Sequence, residues 1–293
     1  MKKIFREILN NKIYYLLIAP DMFLFIIFII RPGIWTLHKS FYKQVTGGGY
    51  EWIGLNNYVY ALSDKIFLNS LLTALIIGVS VTIMSMALGL IAAQLVDSLK
   101  GSIKYIARST IFTPTLCALV VTSVIWKTLL LPDGIIQSFF KLFGIITPNW
   151  LSDPTFALLS IIIVSTWQSI GFNMVFFLAG LQGIPNQFYE AAMVDGASFF
   201  SRFRWITIPL LQPITLFLIV MNSLNNFKMF DQIMTLTRGG PMNTTMITTV
   251  YIYRLAFSQN RYAYASALAV IFAVVLFGVS LMQFKSLKNQ VEY

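Results

Sequence analysis

Four small polar side chains, Asn222, Ser223, Asn225 and Asn226, fall within five residues of a stretch that is otherwise apolar. Amides and hydroxyls bring paired donors and acceptors but no group that titrates near neutrality, so they can bind hydroxyls and cannot move protons. On a helix Asn222 shares a face with Asn225 and Asn226, and Ser223 shares one with Asn226. A second group, Trp167, Gln168 and Asn173, lies in another apolar stretch, where an aromatic plane beside amides suits a hydroxyl-rich ring and Gly171 leaves room for close approach. The same amides could instead bond one helix to another.

The third cluster is a loop, IPNQFYEAAMVDGASFFSRFRWITIP from Ile184 to Pro209. Pro185 suits a helix start, Phe188 with Ala192 and Tyr189 with Met193 make i,i+4 pairs, and Gly196 ends the helix by taking a positive φ. Ser198 can then cap a second helix running through Phe203, giving a helix, turn, helix. Periodicity alone also allows an amphipathic loop lying on headgroups.

Other chemistries lack their parts. Cys117 and His38 are each the single residue of their type, so there is no internal disulfide, no cysteine metal site and no catalytic triad. No GxxxxGKS/T run occurs, so ATP would have to be bound by another chain, and no cofactor is expected. A membrane transferase needs charged clusters at one interface, and the 11 acidic residues are dispersed. An ion-coupled carrier needs intramembrane ionisable residues, for which only Asp21, Lys127, Lys228 and Asp231 are near candidates. Asp21, Lys228 and Asp231 read as structural, the last two neutralising each other at a spacing of three.

The elements that must position these clusters are membrane spans. Hydrophobic residues make up 57% and charged residues 11% of the chain, more apolar surface than one water-soluble core could hide. The +10 charge is scattered between apolar runs without a basic stripe, which argues against nucleic acid. Six stretches can cross a bilayer, centred within Tyr14 to Ile30, Leu71 to Val96, Ile111 to Leu131, Phe156 to Leu178, Ile206 to Phe230 and Tyr264 to Phe284. The first reads as a retained span, because Arg31-Pro32-Gly33 lacks a small-residue cleavage pattern.

A cytosolic N-terminus puts Lys2, Lys3, Arg6, Lys12, Lys100, Lys104, Arg108, Arg202, Arg204, Lys285 and Lys288 inside, all in short segments. Outside, Ile135, Ile136, Phe139, Phe140 and Phe143 at helical spacing predict a short interfacial helix, and Gly47-Gly48-Gly49, Asp153-Pro154 and Arg238-Gly239-Gly240-Pro241 predict turns.

Glu190-Ala191-Ala192, Asp195-Gly196-Ala197 and Ile206-Thr207-Ile208-Pro209 together resemble the EAA loop of binding-protein-dependent ABC-importer permeases. The resemblance implies an all-α membrane protein with six transmembrane helices, the type-I importer fold, and both termini cytosolic. It implies that the short helix inserts into a cleft of an ATPase subunit, Glu190 pairing with a basic residue, Ala191 and Ala192 permitting close approach, Gly196 setting the angle, and Asp195 and Pro209 completing the motif.

Ile53-Gly54-Leu55-Asn56-Asn57-Tyr58, Phe230-Asp231-Gln232-Ile233 with Leu236-Thr237-Arg238-Gly239-Gly240-Pro241, and Tyr262-Ala263-Tyr264-Ala265-Ser266-Ala267 are similar to the carbohydrate-uptake branch of that family. Asn225-Asn226-Phe227 resembles the sugar-contacting part of the maltose permease, which implies sugar contacts at Asn226 and Ser223. The implied partners are a second homologous permease, two ATP-binding ABC subunits, an extracytoplasmic solute-binding protein and a sugar, in the lipid bilayer of a prokaryotic cytoplasmic membrane. The expected division is residues 1–66 for the tail, first span and outer loop, 67–284 for the permease domain with its coupling loop at 184–209, and 285–293 for a cytosolic tail. The extra spans and large outer domain of the longer maltose-type permease have no counterpart here.

Overall fold

The computed structural model describes residues 12–45, 47–132, 134–145 and 147–288. The expected cytosolic charges Lys2, Lys3 and Arg6, and the end of the C-terminal tail, lie outside the described residues. The described chain divides into two compact units, one within residues 1–64 with 252–273 and the other within 65–251 with 274–293.

The first unit opens with α1 (Lys12–Phe25), a π turn at Ile26–Ile30 and α2 (Arg31–Lys39). The apolar stretch was expected to leave helix near Ile30, yet the helix runs on to Lys39. Pro32 offers no N–H and its ring displaces the carbonyl four residues back, and the wider π turn that contains Phe28 absorbs that displacement. Strands β1 (Tyr42–Gln44) and β2 (Tyr50–Trp52) pair antiparallel, Tyr42 opposite Trp52, around the glycine turn. Helix α3 (Asn56–Ser63) follows, and the buried Asn57 donates 2.8 Å hydrogen bonds to the Ser40 and Tyr42 carbonyls, tying helix to hairpin.

Two long helices, α4 (Lys65–Ser98) and the later α8 (Pro154–Gln182), organise the second unit. Their 34 and 29 residues exceed the roughly 20 that cross a bilayer. Asp153 caps α8 by accepting from the Thr155 and Phe156 N–H groups at 2.9 and 3.1 Å. Small residues set the spacing: a Cβ on Gly89 would sit 2.5 Å from that of Asn173, and one on Gly171 would sit 2.6 Å from the Ile111 carbonyl oxygen. The core between them holds Met86, Val96, Met174, Phe177, Leu211 and Leu218.

The third apolar stretch departs from expectation. Instead of one helix from Ile111 to Leu131 there are α5 (Gly101–Leu116) and α6 (Leu119–Leu130), separated by extended Cys117 and Ala118 with ψ of 139° and 134°. Pro114 weakens the last turn of α5, and the Cys117 carbonyl, left without a helical partner by the extended residues, accepts from Gln168 Nε2 at 3.1 Å. The short outer helix α7 (Ile135–Leu142) forms as expected.

After α8 come α9 (Asn186–Val194), α10 (Phe199–Arg202), a π turn at Phe203–Thr207, α11 (Ile208–Leu210), α12 (Gln212–Phe227) and α13 (Asp231–Leu236). The expected single span from Ile206 to Phe230 is bent by 65° between Phe199–Leu210 and Gln212–Leu236. Pro209 and Pro213 flank the bend at Leu211 and deprive it of two donors. Chain end elements are α14 (Thr248–Tyr253), a π turn at Arg254–Ser258 and α15 (Tyr262–Lys288). Among the described residues, five helices are long and apolar enough to cross a membrane, or six with the bent pair counted as one span.

Candidate functional site

A cavity of about 600 Å³ opens in the second unit where α8, the broken stretch at Cys117 and the end of α12 meet. Hydroxyls of Thr115, Ser165 and Ser169 line it with the amides of Gln168, Asn222, Asn225, Asn226 and Gln232, and Phe172 supplies an aromatic wall. Four of the five amides are held in place by a second group. Gln232 Nε2 donates to Gln168 Oε1 at 2.8 Å, while Gln232 Oε1 accepts from Ser165 Oγ at 2.7 Å. Asn222 Nδ2 donates to Asn173 Oδ1 at 2.7 Å and to the Leu218 carbonyl at 2.8 Å. Asn226 Nδ2 donates to Thr82 Oγ1 at 3.0 Å. Asn225 is the exposed member, free to follow a ligand.

The structure thus brings Gln168, Asn222, Asn225 and Asn226 to one cavity. It places the other three elsewhere: Ser223 is bonded to Gln283, whose Nε2 donates at 2.8 Å, Asn173 sits behind Asn222, and Trp167 packs edge-on against Trp126 at 5.4 Å between centroids. Sequence reasoning missed Gln232, Ser165, Ser169 and Thr115. Gln232 had a signal, an amide beside the apolar pair Ile233-Met234. The neutralisation expected of Lys228 and Asp231 does not occur: helix α12 stops at Phe227, the i,i+3 geometry is lost, and both side chains are exposed on the cavity without an ion pair.

The loop from Ile184 to Pro209 folds as helix, turn, helix. Gly196 N–H bonds to the Met193 carbonyl at 3.1 Å and Ala197 N–H to that of Ala192 at 2.8 Å, the paired closure that needs a left-handed residue, and Gly196 has φ of 76°. Ser198 Oγ caps α10 by accepting from Ser201 N–H at 3.2 Å. Tyr189 turns inward to pack on the core, and its hydroxyl lies 2.9 Å from Thr207 Oγ1. That bond links α9 to the π turn at the base of the bent span. Outward, Glu190, Ala191, Asp195, Gly196 and Pro209 are exposed, Ala192 is half-buried, and Val194, one turn from Glu190, is 88% exposed.

Among the described residues no group of three His, Cys, Asp or Glu side chains could hold a metal. Residues 85–287 match the family described as binding-protein-dependent transport system inner membrane component. The lactose transport system permease protein LacF of Rhizobium radiobacter is 31% identical over 283 residues, covering 94% of each chain. The sn-glycerol-3-phosphate transport system permease protein UgpA of Agrobacterium fabrum is 32% identical over 287 residues, covering 97% of each. In fold, the chain superposes on one from a bacterial ABC transporter involved in the import of the acidic polysaccharide alginate, with a TM-score of 0.87 at 21% identity, covering 99% of this chain and 100% of that one. Six apolar stretches, the helix-turn-helix loop and these likenesses converge: the chain belongs to the binding-protein-dependent transport system inner membrane components, as a multi-pass ABC-importer permease and not an enzyme.

Proposed function

We propose that this permease passes a sugar, most simply an oligosaccharide, across the cytoplasmic membrane of a prokaryote. The observation that carries this reading is the cavity, whose lining joins five amides and three hydroxyls beside Phe172, all but Asn225 held by hydrogen bonds to neighbouring groups. Such a lining offers donors and acceptors to hydroxyls and an apolar wall to a ring face, and its bonds to neighbouring helices keep it ordered when empty. The similarity to a lactose transport permease points the same way.

In this reading an extracytoplasmic solute-binding protein delivers the sugar, a second homologous permease closes the path, and two ATP-binding subunits supply the energy. Both termini and α9 lie on the cytosolic side. Glu190 and Val194 form one outward face of α9, with Ala191, Ala192, Asp195 and Gly196 shaping its approach to the ATPase. Tyr189 bonded to Thr207 makes α9 and the base of the bent span move together, so closure of the ATPases would tilt α12, which carries Asn222, Asn225 and Asn226.

A second reading, a phosphorylated polyol, is favoured by Lys228 on the cavity and by the glycerol-phosphate relative, and opposed by the exposed carboxylate of Asp231. Uptake by vesicles containing the assembled transporter separates them. Competition by unlabelled neutral oligosaccharides supports the first reading, and competition by glycerol phosphate alone overturns it.

A further inference from the structure

A second cavity of about 600 Å³ lies wholly within the unit built from the first span, its hairpin and residues 252–273. Lys43 and Arg261 line it with Gln44, Asn56, Asn260 and Tyr60, and no carboxylate does. Among the described residues neither cation is in an ion pair. Glu51 stands opposite Lys43 in the strand register without joining it, and the Asp64 carboxylate accepts a 2.7 Å hydrogen bond from the Tyr264 hydroxyl. The Arg261 guanidinium rests over the Tyr264 ring, 4.9 Å from its centroid, which positions it without a salt bridge among the described residues. Gln44 Oε1 is buried without a hydrogen bond, an acceptor that calls for a donor.

The position of these groups identifies their surroundings. Lys43 follows closely on the end of the first span at Lys39, and Arg261 immediately precedes the last span at Tyr262. Both cations therefore stand where hydrocarbon gives way to headgroups. Tyr50, Trp52 and Tyr60 are exposed in the same segment, the ring types that favour that depth. On α3 and its N-terminal flank, Leu55, Val59 and Leu62 are exposed at i, i+4 and i+7, about 100° round the helix from Asn56 and Tyr60, which face the cavity. A cationic cavity with a free acceptor, flanked by an apolar stripe at the membrane surface, fits an amphiphile whose head carries both an anion and a hydroxyl. A protein carboxylate would satisfy the cations and leave Gln44 without a donor.

We propose that this cavity binds the headgroup of an anionic phospholipid, its phosphate against Lys43 and Arg261, a headgroup hydroxyl at Gln44, and an acyl chain along Leu55, Val59 and Leu62. The inference rests on the chain being membrane-embedded and not on which solute it carries.

Native mass spectrometry of the full chain, extracted with its accompanying subunits and stripped of lipid, tests it by adding phosphatidylglycerol or phosphatidylcholine with the same chains. Phosphatidylglycerol should be retained about tenfold better. The K43Q/R261Q variant should fall to the phosphatidylcholine level, and K43R/R261K should keep the preference. Val59→Gln, on an exposed position, should weaken retention of long-chain lipid while sparing a short-chain analogue. Equal retention of the two lipids, or a preference unchanged by K43Q/R261Q, overturns the proposal. So does displacement of the lipid by equimolar inorganic phosphate, or loss of solute-binding-protein association in K43Q/R261Q with lipid retention intact.

Discussion

At the residue scale, the cavity separates two kinds of asparagine. Asn226 spends its amide N–H on Thr82 and Asn222 spends its own on Asn173, so both also hold helices together, whereas Asn225 is exposed and contributes to the cavity alone. Asn225→Ala is expected to lower sugar uptake several-fold with the amount of assembled complex unchanged, a loss of about 1 kcal/mol per hydrogen bond to the solute. Asn222→Ala should lower both uptake and thermal stability, because it leaves Asn173 buried without its partner. Uptake assays alongside melting of the detergent-solubilised protein distinguish the two. The close contact at Gly171 gives a different signature: Gly171→Val drives side-chain atoms into Ile111 and Thr115 and should destabilise the fold by about 1–3 kcal/mol, visible as lost expression and a lower Tm.

At the element scale, α9 is joined to the rest of the chain by one buried-side tyrosine and one glycine. Tyr189→Phe removes the hydroxyl that meets Thr207 and should leave the complex assembled while sugar-stimulated ATP hydrolysis falls, a weakened linkage of about 1 kcal/mol. Gly196→Val forces a branched side chain into φ of 76° at a cost of about 1–2 kcal/mol and should misdirect α9, as should Glu190→Lys by reversing the charge on its outward face. Copurification of the ATPase subunit with these variants is the measurement, and wild-type copurification in both would remove α9 from the docking role. Much of this element was legible in the sequence, since Pro185, Gly196 and Ser198 punctuate the chain through local backbone chemistry. The breaks in two spans were not. Pro114, Pro209 and Pro213 announce weak points, but where the helix ends also depends on a distant partner for the carbonyls that a break exposes, and Gln168, which receives that of Cys117, lies 51 residues away. The same reasoning explains why four amides of the cavity were found from spacing on their own helices while Gln232 was not: it joins the site only after the chain turns back at Met229, where it meets Ser165 of α8.

At the scale of the whole molecule, the loops and spans imply a topology that chemistry can read. A cysteine at Ser198, in the turn after α9, should react with a membrane-impermeant maleimide only from the cytosolic side, and one at Ser138, on α7, only from the outside, each in a Cys117→Ala background. Labelling of both from the same side would contradict the single span, α8, that lies between them and undo the importer geometry.

The break at Cys117 carries a consequence of its own. The only sulfhydryl in the protein is exposed, lines the amide cavity and sits on the non-helical residues whose carbonyl Gln168 holds. If solute passes through the amide cavity as proposed, the native chain contains a built-in chemical probe of that path. A bound solute should shield that sulfur and slow its alkylation, and the side of the membrane from which reagent arrives fastest should reverse when ATP is trapped in the partner subunits, reporting which way the path is open without any engineered label.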